Sequence, residues 1–109
     1  MKLKVRIKLW LETENGYVLG EGLLEILNSI RELGTLRGAA KRLDMSYRHA
    51  WGIIKESEQR LGKSLLATHK GGKLGGGGAE LTPEARRLID KYLETRDALK
   101  RINKDYEIV

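Results

Sequence analysis

Apolar and polar positions alternate at the start of the chain. Leu3, Val5, Ile7, Leu9 and Leu11 interleave with Lys2, Lys4, Arg6, Lys8 and Trp10, a period of two that predicts a half-buried strand with a basic outer face. Glu14-Asn15-Gly16 offers a tight turn, and Tyr17-Val18-Leu19 can return as a second strand, giving an N-terminal hairpin over residues 2–19. The period then changes. From Glu21 to Leu33 the residues Leu23, Leu24, Ile26, Leu27, Ile30 and Leu33 make one side of an amphipathic helix, and Gly34 ends it. From Thr35 to Leu61 helical spacing continues in two pieces: Leu36, Ala39, Ala40 and Leu43, then Ala50, Ile53, Ile54, Ser57 and Leu61. Asp44-Met45-Ser46 separates them, with Ser46 placed to cap the second helix. Two short helices crossing sharply after such a turn need small side chains at their contact, which Ala39 and Ala40 supply. Burying Ala50, Ile53, Ile54 and Leu61 leaves Tyr47, Arg48, Trp51, Gly52 and Lys55 on the opposite face. That is the layout of a helix-turn-helix over residues 35–61.

An ordinary helical hairpin would show the same periodicity, so charge distribution decides. The chain has 109 residues, 21 Lys or Arg and 15 Asp or Glu, a formal excess of +6. Nine of the basic residues and three of the acidic ones lie between Thr35 and Lys73, and the remaining twelve and twelve cancel. The whole excess therefore sits on the paired helices and the stretch after them, as neutralising a phosphate backbone requires. Lys2 to Lys8 could add a second phosphate contact, or could be a solvated strand face guarded against edge pairing by lysine.

After Gly62, Ser64 to His69 and Ala79 to Thr82 read as two short strands. The glycine-dense tract from Lys70 to Gly78 joins them, where a helix would lose too much chain entropy. A hairpin just beyond a recognition helix has the position of a wing, here residues 64–82, with Lys70 and Lys73 for charge. Thr82-Pro83-Glu84 opens a last helix, predicted to run over residues 83–106. Along it Ala85, Leu88, Tyr92, Leu99, Ile102 and Tyr106 form a heptad stripe, broken at Thr95 and flanked by Ile89 and Leu93. A helix of ~24 residues would reach roughly 36 Å, longer than so small a core is wide, so the stripe is assigned to a homodimer interface.

Other chemistries find little support. The chain has no cysteine, hence no disulfide framework or thiolate metal site, which suits a cytoplasmic, nucleoid-associated protein. No apolar run approaches the ~20 residues of a membrane helix. Gly62-Lys63-Ser64 resembles the end of a phosphate-binding loop, but Ser57 stands where that motif needs glycine and the segment closes a helix instead of opening one. His49 and His69, the only histidines, lack partners for catalysis or metal binding, so neither enzymatic activity nor a cofactor or metal is expected.

The stretch AAKRLDMSYRHAW, followed by GGKLGGGGAELTPEARRLI, resembles the N-terminal winged-helix domain of ModE-type, molybdate-responsive transcription regulators, relatives of the LysR-type DNA-binding domain. The resemblance covers nearly the whole chain. It implies a dimeric DNA-binding protein with Ser46, Tyr47, Arg48 and Trp51 on the recognition helix, Lys73 and its glycines in the wing, and the helix from Thr82 at the dimer interface. Leu74 interrupts a wing that in the family runs straight from its basic residue into glycines. Family members sense molybdate through additional C-terminal domains, and these residues offer no oxyanion cage, so molybdate is not expected to bind this chain.

Together these readings predict an α+β, mostly α chain, a single winged helix-turn-helix domain over residues 1–109. It is expected to bind double-stranded DNA as a homodimeric, sequence-specific transcription regulator without an effector domain. Tyr47, Arg48 and Lys55 are the expected recognition-helix contacts, beside Ser46 and His49. Arg37, Lys41, Lys70 and Lys73 are expected on phosphates, with Gly71 and Gly72 letting the wing approach. Trp51 could enter the groove or pack at the core edge, and packing is the expectation. The rival functions are a sequence-indifferent architectural DNA binder and a winged-helix module that docks proteins.

Overall fold

Why the amphipathic helix at residues 21–33 holds the centre follows from its neighbours. In the computed structural model, which describes residues 1–69, 78–102 and 105–107, this helix is α1 (Glu21–Leu33). Leu23, Leu24, Ile26, Leu27 and Ile30 are buried along it, whereas Leu33 on its last turn is exposed. It packs against α2 (Leu36–Arg42) and α3 (Tyr47–Leu61), and the three share one apolar cluster. Gly34 (φ 78°) and Gly62 (φ 75°) end α1 and α3 in the left-handed conformation that a side chain would strain.

Among the described residues the strands form three separate two-stranded antiparallel sheets. β2 (Leu11–Thr13) and β3 (Gly16–Leu19) form the N-terminal hairpin, with Thr13 opposite Gly16. β4 (Leu66–His69) and β5 (Gly78–Leu81) pair over four positions, from Leu66 opposite Leu81 to His69 opposite Gly78. α4 (Pro83–Leu99) follows, capped by Thr82, whose hydroxyl accepts from the Ala85 N–H. The chain is thus α+β and mostly helical. No helix among the described residues is long and apolar enough to cross a membrane.

Two sequence expectations are corrected. The alternating segment from Lys2 to Leu11 is not one strand of the hairpin. Only Lys2–Lys4 (β1) and Leu11–Thr13 are strands, and β1 pairs with β6 (Asp105–Glu107), Leu3 opposite Tyr106. Alternation sets which face each side chain takes but names no partner, so it could not tell this pairing from a longer hairpin. Likewise the last helix stops at Leu99, not near Tyr106, which belongs to β6.

The hairpin β2–β3 is fastened to the far end of α3. The Ser57 hydroxyl, buried on α3, donates to the Val18 carbonyl at 2.7 Å. Thr13 Oγ1 and Asn15 Nδ2 both donate to the Arg60 carbonyl, one of the last-turn carbonyls a helix leaves unpaired. On the other side, α4 buries Ala85, Ile89 and Tyr92. The single phenolic proton of Tyr92 is shared between Glu21 Oε2 at 3.0 Å and the Leu9 carbonyl at 3.3 Å, tying α4 to α1 and to the segment before β2. Arg96 closes the group with an ion pair to Glu21.

Ser57→Ala should lower stability by about 1–3 kcal/mol in denaturant melts, because it takes the hydroxyl donor from the buried Val18 carbonyl. Tyr92→Phe should cost about 1–2 kcal/mol at neutral pH. Burial first, then the hydrogen bond to Glu21 and its charge, push the Tyr92 phenol above its ordinary value of 10.0, with Arg96 opposing. Folding therefore favours the neutral phenol. Its contribution is complete below that ordinary value and fades as pH rises through the higher folded one. Alkaline titration of stability should show this loss in the parent chain and a smaller one in Tyr92→Phe.

Candidate nucleic-acid interface

The helix-turn-helix is assembled from caps and small residues. Thr35 accepts from the Gly38 N–H at 3.0 Å to start α2. Between the helices Asp44 takes a left-handed conformation (φ 54°), and the Met45 N–H returns to the Ala40 carbonyl, so the chain reverses within a few residues. Ser46 then starts α3, its hydroxyl accepting from the His49 N–H at 3.0 Å. Ala39 and Ala50 are fully buried and Ala40 nearly so, which lets the two helices approach closely. With Ala50, Ile54 and Ser57 turned inward, the outward line of α3 is Arg48, Gly52, Lys55 and Gln59 at helical spacing. Nothing lies within 4 Å of where a Cβ on Gly52 would stand, so the middle of this face is open.

Tyr47 and Trp51 run along one flank of the same face. Tyr47 is 49% exposed and Trp51 36%. Their rings are stacked within 8° of parallel, 6.4 Å between centroids. The Arg37 guanidinium, reaching from α2, lies 5.7 Å from the Tyr47 ring centre, and the Lys55 ammonium 4.4 Å from that of Trp51. Trp51 is therefore a partly exposed member of a stack on the outward side. About two thirds of its surface is covered, while the buried positions of α3 are Ala50, Ile54 and Ser57, and the indole has Tyr47 and Lys55 as ring partners.

The cations of this region differ in how committed they are. Arg42 is paired with Glu32, and Arg60 donates to the Tyr17 carbonyl on the hairpin. Lys55 lies 3.0 Å from Glu58 Oε1. Lys41 and Arg48 have no ion-pair partner among the described residues, and with Arg37, whose guanidinium lies on the Tyr47 ring, they leave their charge unneutralised. A shallow hollow lined by Arg37, Lys41, Asp44, Ser46 and Tyr47 opens at the turn, and a second by Arg48, His49, Gly52, Lys55 and Gln59 along α3.

Of the expected contact residues, Arg37, Lys41, Ser46, Tyr47, Arg48, His49 and Lys55 are all exposed, the first four around the hollow at the turn and the last three around the one along α3. Lys70, Gly71, Gly72 and Lys73 lie outside the described residues. Of the stripe assigned to dimerisation, Ala85 and Tyr92 are buried in the chain's own core, Leu88 and Leu99 are half-buried, and Ile102 is 54% exposed. Tyr106 lies on β6, off the helix. The heptad spacing could not separate the two faces because it straddles their border.

Sequence reasoning missed Glu58. Its Oε2 accepts from the Leu65 N–H at 2.7 Å and the Leu66 N–H at 3.4 Å, so a carboxylate on α3 holds the start of β4. An acid inside a strongly basic stretch was the available signal. Thr82 completes the fastening, donating to the Ser64 carbonyl at 2.7 Å while its N–H reaches the Leu65 carbonyl.

Comparison with known proteins agrees with this geometry. Residues 22–86 match the model of the bacterial regulatory helix-turn-helix proteins of the lysR family. The chain is 31% identical over 97 residues to the molybdenum transport protein ModE of Azotobacter vinelandii, covering 85% of this chain and 36% of that protein. It is 39% identical over 69 residues to the DNA-binding transcriptional dual regulator ModE of Escherichia coli K12, covering 63% of this chain and 26% of the relative. It therefore spans about a quarter to a third of the length of these relatives. Among solved structures the CbnR_DBD–DNA complex is similar with a TM-score of 0.55 at 24% identity, covering 73% of this chain and 85% of that one. ArgP from Mycobacterium tuberculosis follows at 0.53 and 23%, over 75% of this chain and 30% of its own. The fold, the helix-turn-helix with its outward basic face, and the family match over most of the chain lead to one assignment: the chain belongs to the lysR family of bacterial regulatory helix-turn-helix proteins.

Proposed function

We propose that this chain binds duplex DNA sequence-specifically as a homodimeric transcription regulator, laying α3 in the major groove. The observation that carries the reading is the outward side of α3 and α2. There Arg48, Lys41 and Arg37 have no ion-pair partner among the described residues and lie near exposed aromatic rings. Cations spared from internal pairing supply phosphate attraction, while a guanidinium on the recognition helix can read guanine in two-point fashion. Lys70 and Lys73 add charge where the chain passes between β4 and β5 and are assigned to the backbone. For the dimer, the supporting surface is what remains exposed of the last helix and its end. Leu88 and Leu99, eleven residues or about three turns apart, share one line that continues to Ile102. A two-fold pairing there would present two recognition helices to one duplex and select an inverted repeat.

The decisive experiment is selection of bound fragments from the host genome, followed by titration of the best one. Preferred sites should bind at least ~10³-fold more tightly than unrelated duplexes at physiological salt. Equal affinity for all duplexes would establish an architectural binder instead, and no binding at low salt a protein-docking module. On the selected site Arg48→Ala should lose about 1–3 kcal/mol and relax preference at one base pair. Lys73→Ala should weaken all duplexes alike and reduce the salt slope by about one. Identical behaviour of the two would break the division between base reading and backbone holding.

Burial of Leu99 and Ile102 against a second copy should stabilise the dimer by roughly 1.5–3 kcal/mol per side chain. Leu99→Asp combined with Ile102→Asp should therefore give a monomer in sedimentation equilibrium, folded by circular dichroism and weak on the operator. A parent chain already monomeric at tens of micromolar would end the dimer model.

A further inference from the structure

We infer that the Tyr47–Trp51 pair is a reader of thymine, sensing the C5-methyl group in the major groove. This rests on the DNA-binding reading of α3 and adds to it a specificity that charge alone does not provide. Both rings occupy the first turns of α3, the part of a recognition helix that meets base edges. Both keep a large apolar surface in water, Tyr47 at 49% and Trp51 at 36% exposure. They are not loose. The rings lie near-parallel with their centroids 6.4 Å apart, and Arg37 and Lys55 hold a cation over a face of each. Lys55 is itself steadied by Glu58 at 3.0 Å.

Two consequences follow. With the two rings near-parallel and a cation over a face of each, the exposed remainder of the pair is an apolar surface suited to contact with a group in a groove. And because stack and cations restrict an aromatic side chain that has only two torsions to begin with, contact costs little conformational entropy. Of all the groups that base pairs expose in the major groove, the thymine C5-methyl is the one that is apolar. An apolar surface pressed into that groove is desolvated usefully only against it. Among the described residues nothing accepts from the Trp51 indole N–H, which is therefore left to pair with water or with a base acceptor such as thymine O4 beside the methyl.

The test uses the full 109-residue chain and the best genomic site, synthesised with deoxyuridine replacing thymidine one position at a time, which removes the methyl and leaves base pairing intact. One or two positions in each half-site should lose about fourfold in affinity, the effect of one buried methyl-sized group. Tyr47→Ala and Trp51→Ala should bind the thymidine and deoxyuridine sites equally, and Trp51→Phe should keep part of the difference. If Trp51→Ala does not fold by circular dichroism, Trp51→Gln takes its place. Parent protein indifferent to every deoxyuridine, yet still ~10³-fold selective over unrelated duplexes, overturns the inference and leaves the proposed function standing. Methyl sensitivity that survives in both aromatic variants also overturns it. Equal affinity for all duplexes removes the proposed function itself.

Discussion

The contact on which the rest depends is the crossing of α2 and α3 over Ala39, Ala40 and Ala50. Alanine there lets two helix backbones approach where a larger side chain would force them apart. Close approach fixes the rotation of α3 about its own axis, and that rotation decides which residues face water. Once Ala50, Ile54 and Ser57 are inside, Arg48, Gly52 and Lys55 have nowhere to go but out, with Tyr47 and Trp51 beside them. A bulkier residue at Ala50 would do more than destabilise a core. It would re-aim the outward surface while leaving every one of its residues in place.

Everything else holds that aim steady from several sides. The hairpin β2–β3 grips the far end of α3 through Ser57, Thr13 and Asn15, while Arg60 returns the contact to the Tyr17 carbonyl. Glu58 anchors β4 through backbone N–H groups, and Ala79 on β5 donates to the Gly34 carbonyl that ends α1. Tyr92 and Arg96 gather α4 onto Glu21. Basic residues thus divide by neighbourhood: Arg42, Arg60 and Arg96 are spent on the protein, whereas Lys41 and Arg48 have no ion-pair partner among the described residues.

Much of this could be read from the residues in order. Local signals were strong where the physics is local: Ser46 and Thr82 as caps, Gly34 and Gly62 as terminators, and the helical spacing of Ala50, Ile54 and Ser57. What escaped depends on contacts between distant positions. Lys2–Lys4 alternates as any strand does, so its pairing with Asp105–Glu107, a hundred residues away, left no mark in its own neighbourhood. The stripe on α4 looked like one seam because its period is right for both faces, and only the presence of Glu21 and Leu9 beneath Tyr92 shows that part of it faces inward. Trp51 was ambiguous for a related reason. A large indole serves equally in a core or on a platform, and its neighbours Tyr47 and Lys55 acquire meaning only when the helix is turned the right way.

The antiparallel ladder of β4 and β5 carries an evolutionary consequence. Its four pairs bring His69 opposite Gly78, while Glu58, Ser64 and Gly34 anchor its base to the helices. These anchors of the ladder's base involve none of the connecting residues between 69 and 78. Lengthening such a connection is cheap, about 0.6 kcal/mol for each doubling, so insertions and substitutions between residues 69 and 78 can accumulate without disturbing the helix-turn-helix. Under the function proposed above, lineages carrying this scaffold would vary grip on the duplex backbone and choice of bases as two independent traits.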